Sequence, residues 1–368
     1  MVKHNVALRC SESTFKDPAI ALFLKENCNL VSHSKNVQQY VEFLSEINTI
    51  KNKINDSYQR YLKQEASENE IFLIFDNFFK CAEAVEKETD DRIFIGKLKQ
   101  LFRNSIYEYI SQSTFVKRGY CKPRGYPGDF EIIEAMYNNI PVSKNIGYLI
   151  DKYFLKNDYV QAVRDRKDKM KLFLKNFFYQ SSNSEINILN LACGSCRELR
   201  ELFIKERFMD EKRVIFDLID QDEGALRFAK NELKNTSVRV KFNFLKRDVL
   251  DFFRNKKSFK MKKSIKSYDL IYSIGLADYL PNSVLGLLLK YSYCLLKENG
   301  RIIIAHKNTK RYTSPISDWG SDWKFIPRNK KDIEELLEKY IKKDGGKYKI
   351  KYFKEANKYI FFIELMKN

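Results

Sequence analysis

The sequence predicts an α/β protein in which a doubly wound, mostly parallel sheet follows a helical first half. Three observations carry this. From Ile186 onward short apolar runs alternate with amphipathic helical patterns, the rhythm of strands joined by crossover helices. Before that point apolar residues recur three and four apart, and Gly and Pro are scarce. At the far end two apolar runs, Lys347 to Phe353 and Tyr359 to Leu365, are joined by KEANK and read as a closing hairpin that reverses the last strand. The expected division is a helical domain over residues 1–180 and a sheet domain over residues 181–368.

Taken in order, QQYVEFLSEINTIKNKINDSYQRYL and FLIFDNFFKCAEAVEKE each carry one apolar helical stripe. A single break is expected at Arg118 to Asp129 (RGYCKPRGYPGD), where three Gly and two Pro fall within twelve residues. Asp129 then caps a helix through FEIIEAMY, and Asp158 to Phe178 forms another. INILNLA, RVIFDLI, VRVKFNFL, YDLIYSI and GRIIIAHK are the first five strands. ELRELFIKERF, EGALRFAKNELK and SVLGLLLKYSYCLLK supply the helices between or around them, and IEELLEKYI precedes the hairpin.

Composition bounds the function. With 44% apolar and 14% aromatic residues over 368 positions, the chain can bury two cores, which excludes a disordered or disulfide-stapled protein. Its apolar stretches are too short for a membrane span, and the scattered, odd number of cysteines (seven) points to a reducing, cytoplasmic setting. The formal charge of +19 comes with an excess of Asn, Ile, Phe and Tyr, so it reflects overall composition before any nucleic-acid partner. The one dense basic block, Arg254 to Lys266, reads as a solvated loop or as a contact for an anionic partner such as a phosphate-bearing acyl carrier.

In a doubly wound sheet, ligands gather where the carboxyl ends of the strands meet the topological switch point. The turn after the first strand is LACGSC. Gly194 there lets the backbone approach a ligand, although the three-glycine dinucleotide fingerprint is missing. Asp220 ends the second strand and is placed to accept from ribose hydroxyls, with Asp222 next in line or capping the following helix. Asp248 follows the third strand, within reach of an adenine amino group. Cys193-x-x-Cys196 also matches a thioredoxin-type redox motif, but no proline stands between Cys196 and Pro281 to face it, and three His with no second cysteine pair argue against zinc.

The ordered set ILNLACGSCREL, LIDQDEGALRFA, LKRDVLDF, YDLIYSIGLADYL and LLKENGRIIIA resembles a class I S-adenosylmethionine-dependent methyltransferase. That likeness implies a Rossmann-like sheet of seven strands with the last one antiparallel. More narrowly, KPRGYPGDFEIIEAMY, AVRDR, LACG, DQDE, GLADYLP and DWxxIPR resemble a bacterial family that includes 3-hydroxy fatty acid methyl ester synthases. Ala277 stands where that family commonly has an aromatic residue, which implies a wider acceptor pocket. The resemblance implies S-adenosylmethionine held by Ala192, Cys193, Gly194, Asp220, Gln221, Asp248, Val249 and Ser273, with Arg164 or Arg166 on its carboxylate and no metal.

Tyr126, Asp129 and Tyr137 read as lid or substrate-facing residues. Asp278 and Tyr279 follow the fourth strand on the acceptor side, and His306, ending the fifth, is a candidate base or a hydrogen-bonding residue. Trp319 and Trp323 are expected to pack the sheet edge. The expected reaction is O-methylation of a small-molecule carboxylate such as a 3-hydroxy fatty acid, free or carrier-bound, because a carboxylate is already ionised at pH 7 and needs no base. N-methylation, internal alkyl transfer of the cofactor and a nucleic-acid binder are the alternatives, and nothing in the sequence indicates an oligomeric state.

Overall fold

The computed structural model describes residues 22–23, 25–27, 37–205, 212–236, 239–254, 268–308 and 316–368. In chain order its main elements begin with α1 (Val37–Leu62), α2 (Glu68–Glu88), α3 (Arg92–Ile110), α4 (Thr114–Cys121), α5 (Phe130–Asn138), α6 (Asn145–Lys156) and α7 (Asp158–Gln180). They continue through β1 (Glu185–Leu191), α8 (Arg197–Lys205), β2 (Arg213–Asp220), α9 (Glu223–Leu233), β3 (Val240–Lys246), α10 (Val249–Arg254) and β4 (Tyr268–Ser273). The last are α11 (Asn282–Leu295), β5 (Leu296–Lys307), α12 (Lys330–Tyr340), β6 (Tyr348–Lys354) and β7 (Ile360–Lys367). The basic block, apart from Arg254, lies outside the described residues.

Two compact units emerge, and neither is a continuous stretch of chain. One gathers residues 1–127, 140–156 and 313–323; the other gathers 128–139, 157–312 and 324–368. Helix α7, although it precedes the sheet in sequence, belongs to the second.

The first unit is helical, and the expected single break is in fact several. Helices also stop at Glu88, Ile110 and Lys156, because capping residues restart the backbone. Asp91 accepts from the N–H groups of Ile93 and Phe94, and Ser113 accepts from Val116. The unit's core is aromatic, with Phe78 stacked on Phe102 at 3.9 Å between ring centroids. Trp319 corrects an expectation: it lies in this core, 5.2 Å from the Phe43 ring and 5.9 Å from Phe78, and not at a sheet edge. Its indole N–H donates to Glu86 at 3.0 Å. Trp323 sits in the same unit.

The second unit is built on a seven-stranded sheet of order β3-β2-β1-β4-β5-β7-β6. All neighbours are parallel except that β7 runs antiparallel to both β5 and β6. Strand β5 starts earlier than GRIIIAHK predicts, at Leu296 directly after α11. The pairing shifts between Tyr268↔Leu296 and Leu270↔Arg301, which absorbs the extra residues. Gly300 makes this possible, since a Cβ there would meet Lys297 O at 2.8 Å and Tyr268 O at 3.0 Å. Strand order reverses between β1 and β4, whose pairing runs from Ile188↔Leu270 to Asn190↔Tyr272, so the loops after these strands flank the switch point.

Candidate active site

The loop after β1 takes an unusual backbone course. Ala192, Gly194 and Cys196 all have positive φ, at 54°, 55° and 52°. A left-handed conformation costs a residue with a Cβ roughly 1–2 kcal/mol, so two of these three positions are held by their surroundings. Ala192 and Cys196 therefore take a shape that glycine would adopt more cheaply. A Cβ built on Gly194 meets no atom within 4 Å, so its α-carbon faces open space.

What holds the loop is a set of buried polar contacts. Gly194 N–H donates to Asp220 Oδ2 at 2.8 Å and Asp222 N–H to Oδ1 at 2.8 Å, tying the ends of β1 and β2 together. Burial raises the Asp220 carboxyl above its ordinary range, while the N–H groups of Asp222 and Gly194 pull it back. The Gln221 N–H also acts on this carboxylate. Behind the loop, Asn190 Nδ2 donates to Tyr272 Oη at 2.8 Å, and Tyr272 donates to Glu198 Oε1 at 2.8 Å. Burial pushes Glu198 up.

Helices α5, α7 and α8 grip the same loop. Ser195 Oγ donates to Glu134 Oε1 at 2.5 Å, and Arg197 reaches Glu134 Oε2 at 2.8 Å. Arg197, Lys167 and Lys171 converge on Glu201. Burial opposes ionisation of Glu201, yet the hydrogen bonds from Lys167, Lys171 and Arg197 outweigh it and hold the carboxyl at about 2. Glu134 and Glu201 escaped the sequence reading, because only the fold brings them to the loop.

Of the two arginines in AVRDR, Arg164 is half-buried and spends Nε and Nη2 on Gln161 Oε1, at 3.0 and 2.7 Å. Arg166 is buried, and its Nε has no hydrogen-bond partner among the described residues. Its guanidinium lies beside the loop after β4, where a Cβ on Gly275 would stand 3.8 Å from Nη2. Tyr137 shares a hydrogen bond with Arg166; burial pushes the phenol up to about 12, with Arg166 opposing.

The remaining expected cofactor residues sit on these loops. Asp222 caps α9 through Gly224 and Ala225, and Asp248 caps α10 through Leu250 and Asp251. Gln221 is exposed and Val249 buried. Ser273 Oγ donates to Leu191 O at 2.8 Å, joining the ends of β4 and β1. Burial drives the Cys193 thiol well up; at Cys196 the hydrogen bond from Cys193 opposes the rise, but burial and Glu198 prevail. Buried thiols so far from ionisation are packing residues.

On the acceptor side, Asp278 Oδ1 accepts from Lys307 N–H at 2.9 Å, and its own carbonyl accepts from Ile326 at 2.8 Å. His306 is fully buried, and both ring nitrogens are engaged. Arg328 can only donate, so Nε2, at 3.0 Å from its Nη1, carries the lone pair; Nδ1–H then donates to Lys307 O at 2.9 Å. Burial keeps the imidazole below the ordinary histidine range against the pull of Asp278. Of its two expected roles, the geometry is that of a hydrogen-bonding strut. Arg328 also holds Asn282 Oδ1 at 2.7 Å and Ala277 O at 3.0 Å. Ala277 is packed in the sheet core, so its small size acts on packing. Tyr279 is half-buried, its ring 5.4 Å from Phe325.

The RGYPGD loop is where the chain passes from one unit to the other, between Pro127 and Gly128. Tyr126 is half-buried in the first unit, whereas Asp129 is buried in the second and caps α5 through Glu131 and Ile132 at 3.1 and 3.2 Å.

Comparison with known proteins concerns the domain and the fold. Residues 182–356 match the family described as a methyltransferase domain. A possible exported protein from Bordetella parapertussis shares the fold at a TM-score of 0.51 and 14% identity, covering 88% of this chain and 96% of that one. Magnesium protoporphyrin IX methyltransferase from Synechocystis PCC 6803, solved with bound S-adenosylmethionine, aligns at a TM-score of 0.40 and 11% identity over 58% of this chain and 85% of that one. A SAM-dependent methyltransferase from Archaeoglobus fulgidus aligns at 0.37 and 18% identity, over 55% and 94%. No protein of curated function matches the sequence. No helix among the described residues is long and apolar enough to cross a membrane. The sheet order and the switch-point loop agree with the family match, so residues 182–356 form a methyltransferase domain with the Rossmann-like methyltransferase fold.

Proposed function

We propose that the protein is an S-adenosylmethionine-dependent methyltransferase that methylates the carboxylate of a small acyl acceptor, a 3-hydroxy fatty acid being the class that the sequence resemblance favours. The observation that carries this reading is the chemistry at the ends of β4 and β5. His306 has both nitrogens engaged and Asp278 Oδ1 is taken by a backbone N–H, whereas Arg166, Lys307 and Arg328 are all buried nearby. Such a site is poorly equipped to deprotonate an amine or hydroxyl and well suited to an anion that is already nucleophilic.

The residues present fit the cofactor. Open space before Gly194 accommodates its methionine portion, Asp220 suits the ribose hydroxyls, and the unpartnered Nε of Arg166 suits the carboxylate through a charge-assisted bond. Asp248, after β3, suits the base. When bound, the cofactor supplies an activated methyl group on a sulfonium centre. The chain's own task is alignment and exclusion of water: the loop clamped by Glu134 and Asp220 fixes one partner while the strand-end cations orient the other.

The test is incubation of the pure protein with S-adenosylmethionine and 3-hydroxydecanoate, followed by mass spectrometry. The methyl ester and S-adenosylhomocysteine are expected in equal amounts. Release of methylthioadenosine with no ester would reject the reading in favour of internal alkyl transfer.

A further inference from the structure

We propose that Glu134 of α5 is a positioning residue for cofactor capture, acting through Ser195 on the loop after β1, an inference that rests on the cofactor reading above. That loop holds two left-handed residues with side chains, Ala192 and Cys196, so its shape has to be imposed by contacts. Its first half is fixed from the sheet, where Cys193 N–H donates to Ile219 O at 3.0 Å and Gly194 N–H to Asp220 Oδ2 at 2.8 Å. Cys196 N–H then closes a turn onto Cys193 O at 3.1 Å. The second half is fixed from a helix that lies earlier in the chain. Ser195 and Glu134 are both buried, and the serine hydroxyl gives its one proton to the carboxylate, 2.5 Å away.

Helix α5 belongs to the sheet unit and presents one face to this region. Phe130, Glu134, Tyr137 and Asn138 stand four, seven and eight positions apart, which places them on neighbouring turns of that face. The Phe130 ring lies 5.5 Å from Phe228 of α9, Tyr137 shares a hydrogen bond with Arg166, and Asn138 Oδ1 accepts from Arg197 at 3.0 Å. Glu134 sits at the centre. Its Oε1 takes Ser195 and stands 2.9 Å from Arg200 Nη1, while Oε2 accepts from Arg197 at 2.8 Å. Glu198 lies in its field as well, as a like charge.

The two arginines have other acids: Arg197 bonds Glu201 at 2.8 Å, and Arg200 pairs with Glu232 of α9. Removing Glu134 therefore leaves each arginine one carboxylate but takes from Ser195 the acceptor of its hydroxyl. A loop held in advance meets the cofactor in its final shape. A loop released from Glu134 has to be ordered on binding, and that ordering is subtracted from affinity.

Calorimetry and amide hydrogen exchange with S-adenosylhomocysteine test this. Glu134→Ala is expected to bind the ligand about tenfold more weakly. Its Gly194 and Cys196 amides should exchange faster in the free protein and return to the rate of the unaltered chain at saturation. Ser195→Ala should lose affinity by a similar factor, and the double variant no more than either single one, because both remove the same contact. Glu134→Gln, whose amide oxygen still accepts from Ser195, should recover most of the affinity. Unchanged affinity in Glu134→Ala and Ser195→Ala would overturn the assignment, as would losses that add in the double variant. Faster exchange spread across β1 to β5 as much as in the loop would make Glu134 a general stabiliser and overturn it too. Failure of the unaltered chain to bind S-adenosylhomocysteine would overturn the cofactor reading, and the assignment with it.

Discussion

Two buried lysines, one in each unit, show how differently the same side chain can be used. Lys99 in the helical unit sits between Glu86 at 2.6 Å and Asp318 at 2.5 Å, with Arg103 Nη1 bonded to the carbonyls of Asp318 and Trp319 beside it. Lys307 in the sheet unit shares the field of one carboxylate with two guanidinium groups and lies against aromatic rings. The first arrangement ties the segment around Trp319 to α2 and α3. Burial of a charge is therefore not in itself a mark of function; the balance of its surroundings is the better guide.

Breaking the Lys99 cluster should have the largest effect. Lys99→Met leaves two carboxylates facing each other around Trp319 and should destabilise the protein by about 3–5 kcal/mol, read as a lower midpoint in denaturant. Folded Lys99→Met protein should bind S-adenosylhomocysteine as the unaltered chain does. If it lost affinity with no loss of stability, the contrast between the two lysines would be wrong.

Asp220→Ala comes next. It removes the acceptor of two loop N–H groups and the proposed partner of the ribose, and should weaken cofactor binding by roughly 1.5–3 kcal/mol in calorimetry. Affinity unchanged within error would move the ribose elsewhere.

The smallest effect is expected at Glu201. Its folded carboxyl, at about 2, lies below an ordinary glutamate near 4.3, so its stabilising share is present above the unfolded value and disappears as pH falls toward 2. Glu201→Gln should flatten that part of the acid denaturation curve and leave stability above pH 6 only slightly lower. An unaltered acid limb would show that Lys167, Lys171 and Arg197 do not stabilise the protein through this carboxylate.

The sequence declares its strands and helices because periodicity is local: INILNLA and VRVKFNFL need no knowledge of their neighbours to read as strands. Asp129 and Asp222 were equally readable as caps, since a cap acts on the residues directly after it. What stayed hidden depends on distant partners. Glu134 meets Ser195 across sixty-one positions, and Trp319 packs on Phe43 from the other end of the chain. His306 was ambiguous until Arg328 revealed which nitrogen bears the proton. The turn at Ala192 and Cys196 was missed for another reason: glycine is the usual sign of a left-handed residue, and here tertiary contacts impose that shape on residues that do not advertise it.

That substitution changes how the loop meets its ligand. With Ala192 and Cys196 rather than glycine at these positions, the unfolded segment explores fewer conformations, so less entropy is lost when it adopts the shape seen here. Contacts through Glu134, Asp220 and Ile219 O have already set that shape before anything binds. The free energy of cofactor capture is then spent on contacts more than on ordering the backbone, and mutations in the clamp should alter affinity at positions the cofactor never touches.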